Sequence, residues 1–262
     1  MSALDLLHLA QIAGAQAGAY LRSVQPPADP SHWTSKGSRD FVTEVDRTAE
    51  RMIADILLAA EPGARMLGEE LSPALITDGL IWIVDPLDGT TNFLHGFPNY
   101  AVSIAAALDG VLQAGVVLQV PQNETYSASR GGGSWRGDQR LTVSTIEELE
   151  FALIGTGFPF SDVSRLEEYQ QQFGRIARAT SGIRRPGAAA LDLADVAAGR
   201  FDGFWEQQLS AWDIAAGTLL IREAGGLVTD FSGRDIGIEH TGVVAGNPVI
   251  HAWLIEALNV DQ

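Results

Sequence analysis

The chain has 262 residues, 46% hydrophobic and 19% charged, which is enough apolar material for a large core and too much for a disordered chain. It contains no cysteine, so disulfides, thiolate metal sites and cysteine nucleophiles are excluded together. A formal net charge of -16 sets the surface against nucleic acid and anionic membranes, and against an anionic substrate as well unless a cation sits in the site.

The first residues, Met1-Ser2-Ala3-Leu4-Asp5, have no basic stretch ahead of an apolar run and do not read as a signal peptide. No apolar run reaches membrane-spanning length, and a soluble cytoplasmic protein is expected. Leu6, Leu9, Ala13, Ala17, Tyr20 and Val24 fall at helical spacing over 3–24, and Pro26-Pro27 ends that helix. Residues 29–39, with Lys36-Gly37-Ser38, read as a mobile polar loop. A second helix is predicted over 43–60, with Ala49, Met52, Ile53, Ile56 and Leu57 on one face. The apolar runs 64–67 and 80–84 read as buried strands. Residues 100–108, 111–120 and 124–128 read as an antiparallel meander with a hairpin turn at Asp109-Gly110. A strand at 151–156 follows. Helices are predicted at 163–179, 189–199, 213–224 and 247–258, with strands at 181–185, 202–206, 226–229 and 242–246. This succession predicts a layered α+β or α/β sandwich. A division near residue 145 separates a metal- and phosphate-binding half (1–145) from a half that closes the substrate pocket (146–262), the two forming one compact unit.

The segment Trp82-Ile83-Val84-Asp85-Pro86-Leu87-Asp88-Gly89-Thr90-Thr91-Asn92 carries the most chemistry. An apolar strand delivers Asp85 to its end, and Pro86 fixes the backbone without an N–H to donate. Asp88 follows three positions on, and the Leu87 carbonyl can point into the space between the two carboxyls. Gly89 permits an unusual backbone angle, and Thr90-Thr91 can open a helix. Hard oxygen ligands of this kind suit magnesium, and amides at a helix start suit phosphate. The same residues also make an ordinary turn. Three further acidic groups, Gly68-Glu69-Glu70, Asp40-Phe41-Val42-Thr43-Glu44-Val45-Asp46 and Trp212-Asp213, each read alone as a cap or a solvated charge. Together they gather carboxyls at strand and helix ends, where sites on such folds form. His8, His32, His95, His240 and His251 show no ligand spacing and read as structural or surface residues, with His95 nearest the site entrance.

Asp85-Pro86-Leu87-Asp88-Gly89-Thr90-Thr91-Asn92, and the run from Trp212-Asp213 through Ala224-Gly225-Gly226, resemble the two signatures of the inositol monophosphatase superfamily of lithium-sensitive, magnesium-dependent phosphatases. The resemblance spans about residues 4–258. It implies an αβαβα sandwich of the sugar-phosphatase type. It also implies that Glu69, Asp85 and the Leu87 carbonyl hold one Mg2+, that Asp85, Asp88 and Asp213 hold a second, and that a third leans on Glu69. By the same resemblance Gly89 and Thr90 donate to the phosphate. Thr90, paired with Asp46, orients and deprotonates the attacking water, and Glu70 supports the water network. The substrate is then bounded by Leu87, Asp88, Gly89, Thr90 and Asp213 on its phosphate side, and by Gly187, Ala188 and Glu206 on its alcohol side. Lys36 resembles the family's loop lysine.

Ala188 stands where members often carry Ser or Thr, so one hydroxyl contact to substrate is missing. Arg184-Arg185 are left to a substrate anion, a partner subunit or a structural salt bridge. The expected reaction is hydrolysis of inositol 1-phosphate or a similar phosphorylated polyol. Fructose bisphosphate, histidinol phosphate or nucleotide 3′-phosphate are the alternatives within the superfamily, and no aromatic or basic base-binding signal supports the nucleotide. A non-catalytic role as a protein partner of the transcription machinery is the alternative of another class; the acidic surface opposes direct RNA contact. A purely structural metal protein would have no use for Thr90 and Asp46. A homodimer is expected, with the apolar meander around 100–120 as its candidate surface.

Overall fold

Ser2 and Asp5 start the first helix by capping each other, Ser2 N donating to Asp5 Oδ2 at 2.9 Å and Asp5 N to Ser2 Oγ at 3.3 Å. The computed structural model in which these bonds occur describes residues 1–26, 33–37, 40–42, 44–71, 78–158, 160, 162–239 and 241–260. Helices α1 (Ala3–Ser23) and α2 (Glu44–Ala60) pack together. Between them β1 (Thr34–Gly37) pairs antiparallel with β2 (Asp40–Val42), so a hairpin stands in part of the span predicted as a mobile loop. Ser38 and Thr43 lie outside the described residues, and α2 begins at Glu44.

Seven strands form the first sheet in chain order: β3 (Arg65–Gly68), β4 (Leu80–Asp88), β5 (Ala101–Leu108), β6 (Val111–Gln119), β7 (Glu124–Ser129), β8 (Gly133–Arg136) and β9 (Gln139–Arg140). The β3–β4 pair is parallel and the rest antiparallel. Asp109 and Gly110 take φ of 50° and 78° in the tight turn between β5 and β6. Short α3 (Thr90–Leu94) sits between β4 and β5. Side chains on β4 alternate between two cores: Ile81 and Ile83 join one, Trp82 and Val84 the other.

The second sheet runs in the order β11-β10-β12-β14-β13. Its elements are β10 (Leu153–Thr156), α4 (Leu166–Ala179), β11 (Gly182–Arg184), α5 (Ala189–Ala197), β12 (Gly203–Leu209), α6 (Ala211–Glu223), β13 (Leu227–Thr229), β14 (Thr241–Gly246) and α7 (Pro248–Leu258). Residues Leu149–Phe151 form a tight 3-10 turn, so β10 starts later than its apolar run suggests.

Helices α1 and α2 cover the outer face of the first sheet, α5 and α6 lie between the sheets, and α4 and α7 cover the outer face of the second. This is the αβαβα sandwich. Its central core mixes residues of β4–β6 with those of α5, α6, β12 and β14, so one apolar interior spans both sheets.

Most of the meander around 100–120, the candidate dimer surface, is covered within the chain itself. Residues 101–107 of β5 are all buried, because helix layers cover both faces of the sheet there. Its apolar composition reflects two-sided burial. Leu108 and Val111, beside the hairpin turn, are its exposed large apolar side chains.

Candidate active site

β4 slips register against β5 between Asp85 and Asp88, where Pro86 has no N–H to give to the ladder. Asp85 Oδ1 turns back to accept Leu87 N at 2.9 Å. Gly89 follows with φ 88°, and a Cβ there would stand 3.0 Å from the Asn99 carbonyl oxygen and 3.3 Å from that of Gly187; only glycine meets both demands. Thr90 Oγ1 then lies 3.0 Å from Asp46 Oδ1 and 3.0 Å from the Leu87 carbonyl oxygen. The hydroxyl has one proton and gives it to one of them at a time. Asp46 is buried on α2.

The second sheet's half is fastened to the same turn. Asp88 Oδ2 accepts Ala190 N, in the first turn of α5, at 2.8 Å. Asn92 Nδ2 donates to the Asn99 and Pro186 carbonyls at 2.7 and 3.0 Å. Ser103 Oγ donates to the Trp212 carbonyl at 3.1 Å, and Asp213 Oδ2 accepts Ser210 N at 2.7 Å at the start of α6. Four chain segments thus meet through hydrogen bonds.

Burial, with Glu69, Asp88 and Asp213 nearby, raises the Asp85 carboxyl well above the usual range. Burial, Glu69 and Asp88 do the same to Asp213. Asp88 is pushed up to about 7 by burial and Glu69, against the bond from Ala190. Among the described residues, none of these three aspartates pairs with a lysine or arginine. Among the same residues, no three acidic or imidazole side chains meet in a ligating cluster. The carboxyls act on one another electrostatically. All are hard oxygen donors, and their unbalanced burial is what a hard cation relieves.

A cavity of about 140 Å³ opens beside them, lined among others by Asp88, Gly187, Ala188, Glu206 and Asp213. Glu206 is pushed up to about 8 by burial, with Arg185 lowering it and Asp88 raising it. A Cβ on Gly157 would stand 1.9 Å from Glu206 Oε2, so the carboxyl lies flat on that backbone. Glu206 sits within β12, not at the end of a strand; β12 continues to Leu209 past an irregularity, where Gln208 has φ 61°. A larger cavity of about 430 Å³ adjoins, lined by Phe158, Phe160, Val163, Leu166, Tyr169 and Phe173 and sharing Arg185. It is apolar and none of these carboxyls lines it, whereas Asp88, Glu206 and Asp213 line the smaller one.

Arg185 makes no ion pair among the described residues; it donates to the Phe158 carbonyl at 3.2 Å, and its guanidinium lies 4.6 Å from the Phe160 ring centre. Arg184 is exposed. Lys36 has its backbone in β1, and its side chain lies outside the described part. His95 meets Trp33 edge-on at 5.4 Å, while buried His251 lies 2.9 Å from Thr229 Oγ1. His32 and His240 are outside the described residues.

Two acids escape the sequence reading. Glu50 Oε2 accepts Glu70 N at 2.7 Å, and its Oε1 accepts Leu71 N at 3.0 Å. The signal was its position one turn after Asp46 on α2. Asp192 is buried in α5 beside the small cavity, its Oδ1 without a hydrogen-bond partner, and burial with Glu206 and Asp88 raises its carboxyl well above the usual range. The signal was a lone acid in an alanine- and leucine-rich helix.

The family model described as inositol monophosphatase family matches residues 5–261. The Nus factor SuhB of Pseudomonas aeruginosa is 47% identical over 248 residues, 92% of this chain and 91% of that protein. An inositol-1-monophosphatase of Rhizobium meliloti is 48% identical over 224 residues, 85% of this chain and 84% of that protein. Among solved structures, the extragenic suppressor protein suhB of Bartonella henselae superposes with a TM-score of 0.91 at 40% identity, over 98% of this chain and 100% of that one. An IMPase of Thermotoga maritima gives 0.89 at 35% identity, over 98% and 97%.

Proposed function

The chain belongs to the inositol monophosphatase family, and from that membership we propose that it is a magnesium-dependent hydrolase of phosphate monoesters, with inositol 1-phosphate or a close polyol ester as substrate. The observation that carries this reading is Thr90 Oγ1 poised between Asp46 and the Leu87 carbonyl, beside buried aspartates that no described basic residue offsets. Glu69, Asp85 and the Leu87 carbonyl would hold one magnesium, Asp85, Asp88 and Asp213 a second, and Glu69 a third. When bound, such ions lower the pKa of water and offset charge on the leaving oxygen.

The chain's own residues do the rest. Thr90 gives its hydroxyl proton to Asp46 and takes one from the attacking water, so Asp46 is the base reached through Thr90. Glu70 steadies the water beside it. Gly89 and Thr90 amides hold the phosphate oxygens, and Gly187, Ala188 and Glu206 bound the alcohol half. Water attacks phosphorus as the ester oxygen leaves and takes a proton from solvent, Asp46 gives its proton back to solvent, and no covalent phosphoenzyme is needed.

Phosphate release over a panel of small phosphate esters, with and without magnesium, tests the reading. Turnover should need the cation and be fastest on polyol esters. Asp85→Asn should lose at least about a hundredfold in kcat/KM, several kcal/mol of barrier, while staying folded. Undiminished turnover by that variant, or by the wild type stripped of divalent cations, would falsify the metal assignment.

A second reading, protein binding toward the transcription machinery, is favoured by the relatives named Nus factor SuhB. A pull-down that captures the same partner with wild type and Asp85→Asn would establish it as separate from catalysis.

A further inference from the structure

Asp46 and Glu50 stand one turn apart on α2, and side chains so spaced leave the same face of a helix. Asp46 meets Thr90, beyond β4. Glu50 meets the segment beyond β3. There Glu69 N still bonds the Val84 carbonyl of β4, at 3.3 Å. The next two amides leave the sheet and turn to Glu50: Glu70 N to Oε2 at 2.7 Å, Leu71 N to Oε1 at 3.0 Å. Glu50 is 0% exposed. Its carboxyl lies against the Gly68 backbone, where a Cβ would come within 2.0 Å of Oε1. A buried carboxyl is tolerated only where its oxygens are bonded, and here both oxygens take amides of one short stretch.

We propose that Glu50 is a positioning residue for the active site: it clamps the backbone at residues 70 and 71 and thereby holds the Glu69 carboxyl toward Asp85. One helix would then set two parts of the site, the base through Asp46 and the glutamate pair through Glu50. The proposal rests on the reading of Glu69 as a magnesium ligand.

Glu50→Gln keeps the size but turns one acceptor into a donor facing an amide N–H. Gly68→Ala attacks the same contact from the other side, by crowding the carboxyl. Amide exchange of residues 70 and 71 in metal-free protein should speed up about tenfold or more in both variants, because one charged bond is lost. The half-saturating magnesium concentration for phosphate release should rise by about the same factor. Turnover at saturating magnesium should stay within a few-fold, and exchange in β5 should not change. Unchanged exchange at 70 and 71 would mean there is no clamp. Faster exchange with an unchanged magnesium requirement would make Glu50 a folding residue and overturn the proposal. A wild type indifferent to magnesium would overturn the metal assignment first, a result visible without any substitution, and this proposal with it.

Discussion

Glu206 lines the small cavity, and if it faces the alcohol half of the substrate as proposed, its protonation governs what it can recognise. With its pKa pushed up to about 8 by burial, the carboxyl is mostly neutral at pH 7. It then offers one acceptor and one donor, much as a glutamine does. Above pH 8 it ionises and can accept from two ring hydroxyls. Glu206→Gln should therefore cost little at pH 6.5 on inositol 1-phosphate. By pH 9 the loss in kcat/KM should reach about tenfold or more, the worth of a charge-assisted bond. On p-nitrophenyl phosphate, which has no such hydroxyls, the wild-type-to-variant ratio should stay flat with pH. A ratio already large at pH 6.5, or equal on both esters, would move Glu206 out of substrate recognition.

The acids proposed for the reaction stand out in the sequence because Asp85 and Asp88 follow an apolar run beside proline and glycine, and Asp213 lies in the first turn of α6. Glu50 and Asp192 do not, since what they do depends on a loop about twenty residues away (separation 20) or on a cavity wall made by another strand. Periodicity carries no record of such long-range partners.

Among the elements, β4 was found but ended too early, at residue 84: the strand runs on to Asp88 past a register slip at Pro86 that the sequence reading took for a turn. The helices and the other central strands were found to within a few residues, because their burial is one-faced or two-faced along the whole length. β8 and β9 escaped because strands of four and two residues, in a glycine-rich stretch, hold too little alternation to register. β5 and β6 are apolar on both faces because helix layers cover both sides of the sheet.

Several exposed apolar side chains gather on α4 and the loop before it. Leu166, Tyr169, Phe173 and Ile176 fall along one stripe of α4. Ile176 is buried, but Leu166 and Phe173 remain exposed together with Phe160 and Val163. The homodimer expected from the sequence would find a candidate contact in these exposed side chains. Wild-type protein should scatter light as a dimer at micromolar concentration, and the double variant Phe160→Asp with Phe173→Asp as a folded monomer. A monomeric wild type, or a variant that still dimerises, would place the contact elsewhere or remove it.

At the scale of the whole molecule, the carboxyls where the two sheets' halves meet make stability depend on pH and cations together. Asp88 titrates near 7 in the folded chain, against an ordinary aspartate value of 3.8 in the unfolded one, and Asp85 and Asp213 are shifted the same way. Between those two values the folded state holds protons that the unfolded state has released, so stability falls as pH rises. For Asp88 the contribution is fully present below pH 3.8 and is lost as pH rises through about 7, and Asp85 and Asp213 add to it in the same direction. Metal-free protein should therefore melt several degrees lower at pH 7.5 than at pH 5, on a scale where about 1 kcal/mol moves Tm by about 2–4 °C for a chain of this size. Magnesium binds the ionised carboxyls and competes with protons for them. Its stabilising effect should be large at pH 7.5, where the carboxyls' mutual repulsion is greatest, and small at pH 5. Asp88 also holds the first turn of α5, so relief of that repulsion should be felt across the contact between the halves and not only in the cavity. Thermal melts at the two pH values, with and without magnesium, check both signs. A metal-free Tm that rises from pH 5 to 7.5, or a magnesium shift equal at both, would mean these carboxyls are neither strained in the folded chain nor the place where the cation binds.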